Sequence, residues 1–289
     1  MIEELKKPEQ FQTAISLLRQ DLPFGVSMLQ FLSILANISF IPEEIRITAL
    51  QLRPYGESNS PAGWCLLRRD DYQPDYGSLQ FHFCKNTPLA HIRQFLTQLK
   101  VEGHFEFLKH TQAHLVATSR EWCDILVPFF SMMVNIPRYD KDWLKAYWIS
   151  PKKADQLSKI DVHSPEGYFW DTLSQNDAAL VSETWPHARG GNLQLTEAKI
   201  RHFPSVCLRT NESGRELASF EMTDIRGCMN HLYTLPKFRG VKAGMIPHKF
   251  VRRSNRAGIA MSERSEFWED TTDDYVSIRL NPYTEKLDE

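Results

Sequence analysis

Residues Met229 to Gly244, MNHLYTLPKFRGVKAG, concentrate the chemistry of this 289-residue chain. An apolar, strand-like run (Leu232, Tyr233, Leu235) meets Pro236 and then a basic, glycine-containing turn, Lys237-Phe238-Arg239-Gly240-Val241-Lys242-Ala243-Gly244. Backbone N–H groups gathered in such a turn, with a helix N-terminus behind them, hold phosphate oxygens with little help from side chains. Here the helix has no room, because only Met245, Ile246 and Pro247 separate Gly244 from the next strand-like run, His248 to Arg252. Groups able to move a proton lie close by in sequence: Glu221, Asp224, Cys228 and His231. Each has a plainer reading as well. A cysteine is a poor base and, when buried, a small hydrophobe, and the others read equally as solvent-facing or turn residues.

Other chemistries lack their spacing. The histidines form no H-x-x-x-H or H-x-x-E-H pattern, which speaks against a metal site, and neither G-x-S-x-G nor a Walker motif occurs. The five cysteines, Cys65, Cys84, Cys123, Cys207 and Cys228, are scattered, odd in number and without C-x-x-C spacing. They read as free thiols in a reducing compartment.

The elements that position these residues follow from periodicity. Apolar spacing predicts helices over 9–20, 28–36, 89–99 and 121–133, and strands over 45–52, 63–68 and 78–84. Pro137 to Lys159 is charged and carries two prolines, and the expected domain boundary falls inside it. Beyond it a strand (167–173), two helices (177–185, 193–202) and three strands (205–210, 216–222, 229–235) are expected, with turns at Asn211–Gly214 and Asp224–Gly227. Residues 254–262 could supply the covering element that the missing helix leaves out. No internal repeat is visible.

Composition sets the bounds. The length suits roughly two domains, each able to bury its own core. Hydrophobic content of 42% and charged content of 24% are ordinary for a soluble globular protein, and a net charge of −2 exerts no global pull on nucleic acid or anionic membranes. Met28 to Ile41, the longest apolar stretch, is interrupted by Gln30, Ser33, Asn37 and Ser39 and is too short and polar to span a bilayer. Acidic Glu3 and Glu4 make a poor mitochondrial presequence, so the sequence-based expectation is cytoplasmic.

The basic turn resembles the acyl-CoA pyrophosphate loop of the GNAT acyltransferase superfamily, R/Q-x-x-G-x-G/A. In register, Arg239 takes the first position, Lys242 stands where the middle glycine belongs, and Gly244 closes the motif. Four upstream segments, LVSETWPHARGGN (180–192), RHFPSVCLR (201–209), ELASFEMTD (216–224) and HLYTLPKFRG (231–240), resemble the C-terminal half of glycine N-acyltransferase-like proteins. The likeness is good over about 153–240, moderate over 246–268 and faint over the first 150 residues.

The resemblance implies tandem GNAT-like α/β (α+β) folds, with mixed, mostly antiparallel sheets flanked by helices. It implies a degenerate first domain over 1–150 and an acyltransferase domain over 151–289 that lacks the helix after the CoA loop. The reaction implied moves an acyl group from acyl-CoA, a cosubstrate, to the amine of glycine or another small acceptor. No metal, resident cofactor, nucleic acid, membrane or protein partner is required. Thr234 and Leu235 would offer backbone contacts to the donor, and Arg239, Gly240 and Gly244 would hold its pyrophosphate. Glu221, Cys228 and His231 are the candidate bases; mammalian relatives carry Glu after the turn glycine, where Cys228 stands here. Those relatives are mitochondrial, so the resemblance also admits that compartment. The altered loop, the lost helix and Cys228 point to an alternative, a non-catalytic or truncated relative that no longer binds acyl-CoA.

Overall fold

The structure, a computed structural model, describes residues 1–37, 44–54, 60–136, 143–186, 188–224, 229–239 and 248–283. In chain order the first half gives β1 (Ile2–Glu4), α1 (Pro8–Leu18), α2 (Val26–Asn37), β2 (Ile45–Leu52), β3 (Gly63–Asp70), β4 (Tyr76–Phe83), α3 (Leu89–Val101), β5 (Gln112–Ser119), α4 (Arg120–Ser131) and β6 (Trp143–Trp148). The second half gives α5 (Pro151–Leu157), β7 (Tyr168–Asp171), α6 (Ala178–Glu183), α7 (Asn192–His202), β8 (Ser205–Thr210), β9 (Leu217–Thr223), β10 (Met229–Thr234), β11 (His248–Arg252), α8 (Arg256–Glu263) and β12 (Glu269–Leu280).

Local sequence accounts for many of these bounds. Pro8 begins α1 at a position where no backbone donor is needed, and Gln10 Oε1 accepts from the Lys6 and Lys7 N–H groups at 2.9 Å each. In α3 the buried residues Ile92, Phe95, Leu96 and Leu99 repeat at helical spacing and form one stripe against the sheet. β8 and β2 fall where alternation places them. The expected helix over 177–185 is shorter, a 3-10 turn at Gln175–Asp177 followed by α6.

Two sheets result. Eight strands run in the order β1-β2-β3-β4-β5-β12-β6-β11, and four in the order β10-β9-β8-β7. All neighbours are antiparallel except β4 and β5, whose parallel ladder runs from Tyr76↔Gln112 to Leu79↔Leu115 and then stops. The remaining turns of β4 and β5 are not paired with each other, which opens a wedge at that end. Across the molecule β11 passes beside β10 without a ladder and pairs with β6 instead. The first half thus contributes the run β1 to β5 and the second the run β7 to β10, while β12 pairs with β5 and with β6, and β6 with β11.

The segment 137–159, where the domain boundary is expected, is not bare connection among the described residues. The segment contains β6, whose Ala146 and Tyr147 are buried between β12 and β11, and α5. β6 carries one charge, Lys145, which pairs with Glu263 and Asp270 at 3.2 Å each.

One core lies between the large sheet and α3 and α4, where Phe81 stacks on Phe83, Phe83 meets Trp122 edge to face, and Phe130 lies tilted against Phe81. A second, on the opposite face, joins α1 and α2 to Trp64 and Leu66, and takes Leu195, Ala198 and Phe203 from the second half. The third packs Val181 and Ile200 on Cys207, Phe220 and Met222. Gly191, at the start of α7, shows why the halves fit closely. Its φ is +74°, and a Cβ there would lie 1.8 Å from the Tyr72 carbonyl oxygen.

Candidate functional site

β-sheet register decides which of the candidate residues can meet. On the β9–β10 hairpin Glu221 sits opposite Leu232, while His231 sits opposite Met222 and Tyr233 opposite Phe220. Directly opposed residues share a face. Glu221 and His231 therefore project from opposite faces of the hairpin, and the sequence could not distinguish this from a shared site.

Glu221 is 1% exposed, and neither carboxylate oxygen accepts a hydrogen bond among the described residues. The charge that answers it comes from β11. Lys249, 3% exposed, also makes no hydrogen bond among the described residues, and its Nζ lies 4.2 Å from the centroid of the Trp268 ring. Burial pushes the Glu221 carboxyl up to about 7, although Lys249 pulls the other way. Burial pushes the Lys249 amine down to about 8 against the attraction of Glu221. A carboxyl poised at that value accepts a proton near neutral pH.

Lys249 and Trp268 were not among the sequence-based candidates. The signal was present: Lys249 shares strand parity with buried Val251, so a charge stood on an apolar face.

His231 occupies the other face, beneath α6. Thr184 Oγ1 donates to the Val181 carbonyl at 2.9 Å, so His231 Nε2–H donates to Thr184 Oγ1 across 3.3 Å. Its ring lies 4.8 Å from that of Trp185 and 5.0 Å from that of Phe220. Burial, then the nearby Lys199 charge, push this imidazole down to about 4, so it stays neutral at physiological pH.

The residues expected to bind the donor are arranged along the end of β10. Ser219 Oγ donates to the Tyr233 carbonyl at 3.1 Å, which leaves Thr234 as the donor in the 2.9 Å contact between the two hydroxyls. Leu235 N–H donates to Ala218 O at 3.0 Å, and its carbonyl accepts from Phe238 N–H at 2.9 Å. Arg239 is exposed after the 3-10 turn Pro236–Phe238, near Lys237, whose ammonium pairs with Glu216 at 2.5 Å. Cys228, Gly240 and Gly244 lie outside the described residues. So does any helix between Arg239 and β11.

The remaining cysteines are buried or half-buried thiols. Burial pushes Cys84 and Cys123 up to about 11 and Cys207 up to about 12. Among the described residues no group of three or more His, Cys, Asp and Glu is placed to hold a metal ion. No described helix is long and apolar enough to cross a membrane.

No family model matches the chain, and no curated protein matches it in sequence. Solved structures do. A Drosophila protein determined by X-ray crystallography superposes with a TM-score of 0.71 at 15% identity, over 98% of this chain and 99% of the other. A tandem GNAT protein from the clavulanic acid biosynthesis pathway gives a TM-score of 0.51 at 14% identity, over 96% of this chain and 97% of the other. A GCN5-related N-acetyltransferase from Sphaerobacter thermophilus gives 0.50 at 10% identity, over 96% and 94%. The superpositions span both halves, so what is shared is the tandem arrangement. The chain has a tandem GNAT fold.

Proposed function

We propose that this protein is an acyl-CoA-dependent N-acyltransferase of the glycine N-acyltransferase-like type, acting on glycine or a similarly small amine. In this reading residues 151–289 carry the transfer site and 1–150 the degenerate partner half. The observation that carries it is the buried Glu221 carboxyl, beside the Lys249 ammonium and next to the unladdered edge of β10, in a fold shared with acetyltransferases. The thioester arm of the donor lies along that edge, with Arg239, Gly240 and Gly244 at its pyrophosphate. Glu221 takes the proton from the acceptor ammonium. The free amine attacks the thioester carbonyl, the C–S bond breaks, and CoA leaves as thiolate, which then takes up a proton. Lys249 stabilises the ionised form of Glu221 and so keeps the base available.

A second reading has its own support. The backbone groups of Leu235 are occupied within the protein, and the sequence leaves only three residues between Gly244 and His248. These favour a relative that has lost acyl-CoA binding. Thermal unfolding with CoA and benzoyl-CoA decides between the two. A binder at roughly 100 times its Kd gains about 2.7 kcal/mol, and no gain at millimolar ligand defeats the enzyme reading. Release of free thiol with glycine as acceptor then tests turnover.

A further inference from the structure

A lysine stem is long enough to carry its ammonium out to water, and an ammonium kept inside without an acceptor is costly. Lys249 stays inside: it is 3% exposed, and its Nζ makes no hydrogen bond among the described residues and lies over the Trp268 ring. Trp268 is half-buried, and the chain on either side of it is anchored. Before it, α8 seats against β11, where a Cβ at Gly258 would meet Val251 Cγ1 at 3.0 Å, and Glu263 at the end of α8 accepts from Lys145 Nζ on β6 at 3.2 Å. After it, Glu269 opens β12 opposite Trp148 and accepts from Ser150 Oγ at 2.9 Å. The titratable groups around Lys249 come from four elements. Tyr147 on β6 stands opposite it across the ladder, and Lys145 on the same strand pairs with Glu263 of α8 and Asp270 of β12. From β9 comes Glu221, the charge that acts on the Lys249 ammonium.

We infer that Trp268 is a positioning residue for the transfer site: its ring holds the Lys249 ammonium beside Glu221. The face of an indole attracts a cation without being an anion itself. It therefore keeps the charge in place and leaves it uncancelled, so that Glu221 feels the whole of it. A carboxylate in the same position would pair with the ammonium and compete with Glu221, and an aliphatic side chain would cover the ammonium without attracting it. The inference rests on the reading of Glu221 as the base, and it is measured on the carboxyl itself, apart from turnover.

NMR titration of the full chain, isotope-labelled at glutamate, follows the Glu221 carboxyl, whose signal is assigned by its loss in Glu221→Gln. Lys249→Met is expected to raise the midpoint by about one pH unit, because the attraction that favours the ionised form is gone. Trp268→Leu keeps the lysine covered but removes the ring face, and raises the midpoint by about 0.7 unit. Trp268→Phe, a smaller ring that preserves packing, raises it by about 0.3 unit. In the Lys249→Met background both Trp268 substitutions add less than about 0.2 unit, since the group they act through is absent. A Trp268 that only covers the site moves the midpoint equally with and without the lysine. The inference is overturned if the folded Trp268 variants titrate as the wild type does, or if their shifts persist in Lys249→Met. Wild-type protein that transfers no acyl group defeats the enzyme reading and leaves these midpoints unchanged.

Discussion

A carboxyl shut away from water resists ionisation, and Glu221 shows the consequence for stability as well as for chemistry. Between its ordinary value of 4.5 and about 7, the folded protein holds a proton that the unfolded chain has released. Stability therefore falls as pH rises through that window. Lys249 works on the alkaline side: between about 8 and 10.5 the unfolded chain holds the extra proton, so stability rises with pH there. His231 has the opposite sign to Glu221 on the acid side, since stability is lost as pH falls from 6.5 to about 4 and its ring must charge. Glu221→Gln is expected to remove a loss of about 2–3 kcal/mol between pH 5 and pH 8, read from urea unfolding at the two pH values. The same substitution should lower the rate of acyl transfer about 100-fold or more and abolish a rise in activity with pH through about 7. A wild-type pH profile flat across neutrality would remove Glu221 from the mechanism.

At the scale of elements, the entry to α6 is held by one arginine. Arg209 on β8 donates from Nη2 to Asp177 Oδ2 at 2.6 Å and from Nε to Asp171 Oδ2 at 2.8 Å, while Ser174 N–H and Oγ–H also donate to Asp177. Burial alone would raise the Asp177 carboxyl, but Arg209 and Ser174 outweigh it and hold it below the ordinary carboxylate value. Its contribution is thus present at neutral pH and lost as pH falls through that lowered value. Asp177→Asn is expected to cost about 2–4 kcal/mol, because it leaves a mostly buried guanidinium short of its partner. Equilibrium denaturation at pH 7 measures it. Gly191→Ala joins strain at positive φ to a clash with the Tyr72 backbone, and its melting temperature should fall by several degrees, with the loss confined to packing between α7 and the first half.

For the whole molecule the decisive feature is the position of β12. The last long strand of the chain lies between β5 and β6, and it buries Tyr275, Val276, Ile278 and Leu280 at the centre of the large sheet. Losing three aliphatic side chains of this kind forfeits on the order of 6–8 kcal/mol, comparable to the stability of a typical domain. A chain ending at Trp268 should therefore lose cooperative unfolding altogether, in the first half as well as the second. A sharp calorimetric transition in that truncated chain would show that the halves stand alone.

Alternation and helical spacing were enough to locate β2, β8, α3 and the β9–β10 hairpin, because each is amphipathic over its own length and its pattern is local. The same local logic singled out Glu221 and the basic turn. It passed over β6 and β12, since a strand that carries charge becomes central only when both neighbours arrive from distant parts of the chain. Lys249 likewise acquired meaning only when β11 paired with β6 and carried an ammonium to within the field of a carboxyl on another sheet. The sequence by itself determined the elements and the residue types available for chemistry, through periodicity and backbone preference. Which charges share a buried space was decided by long-range strand pairing, a property of the folded chain that no short window contains.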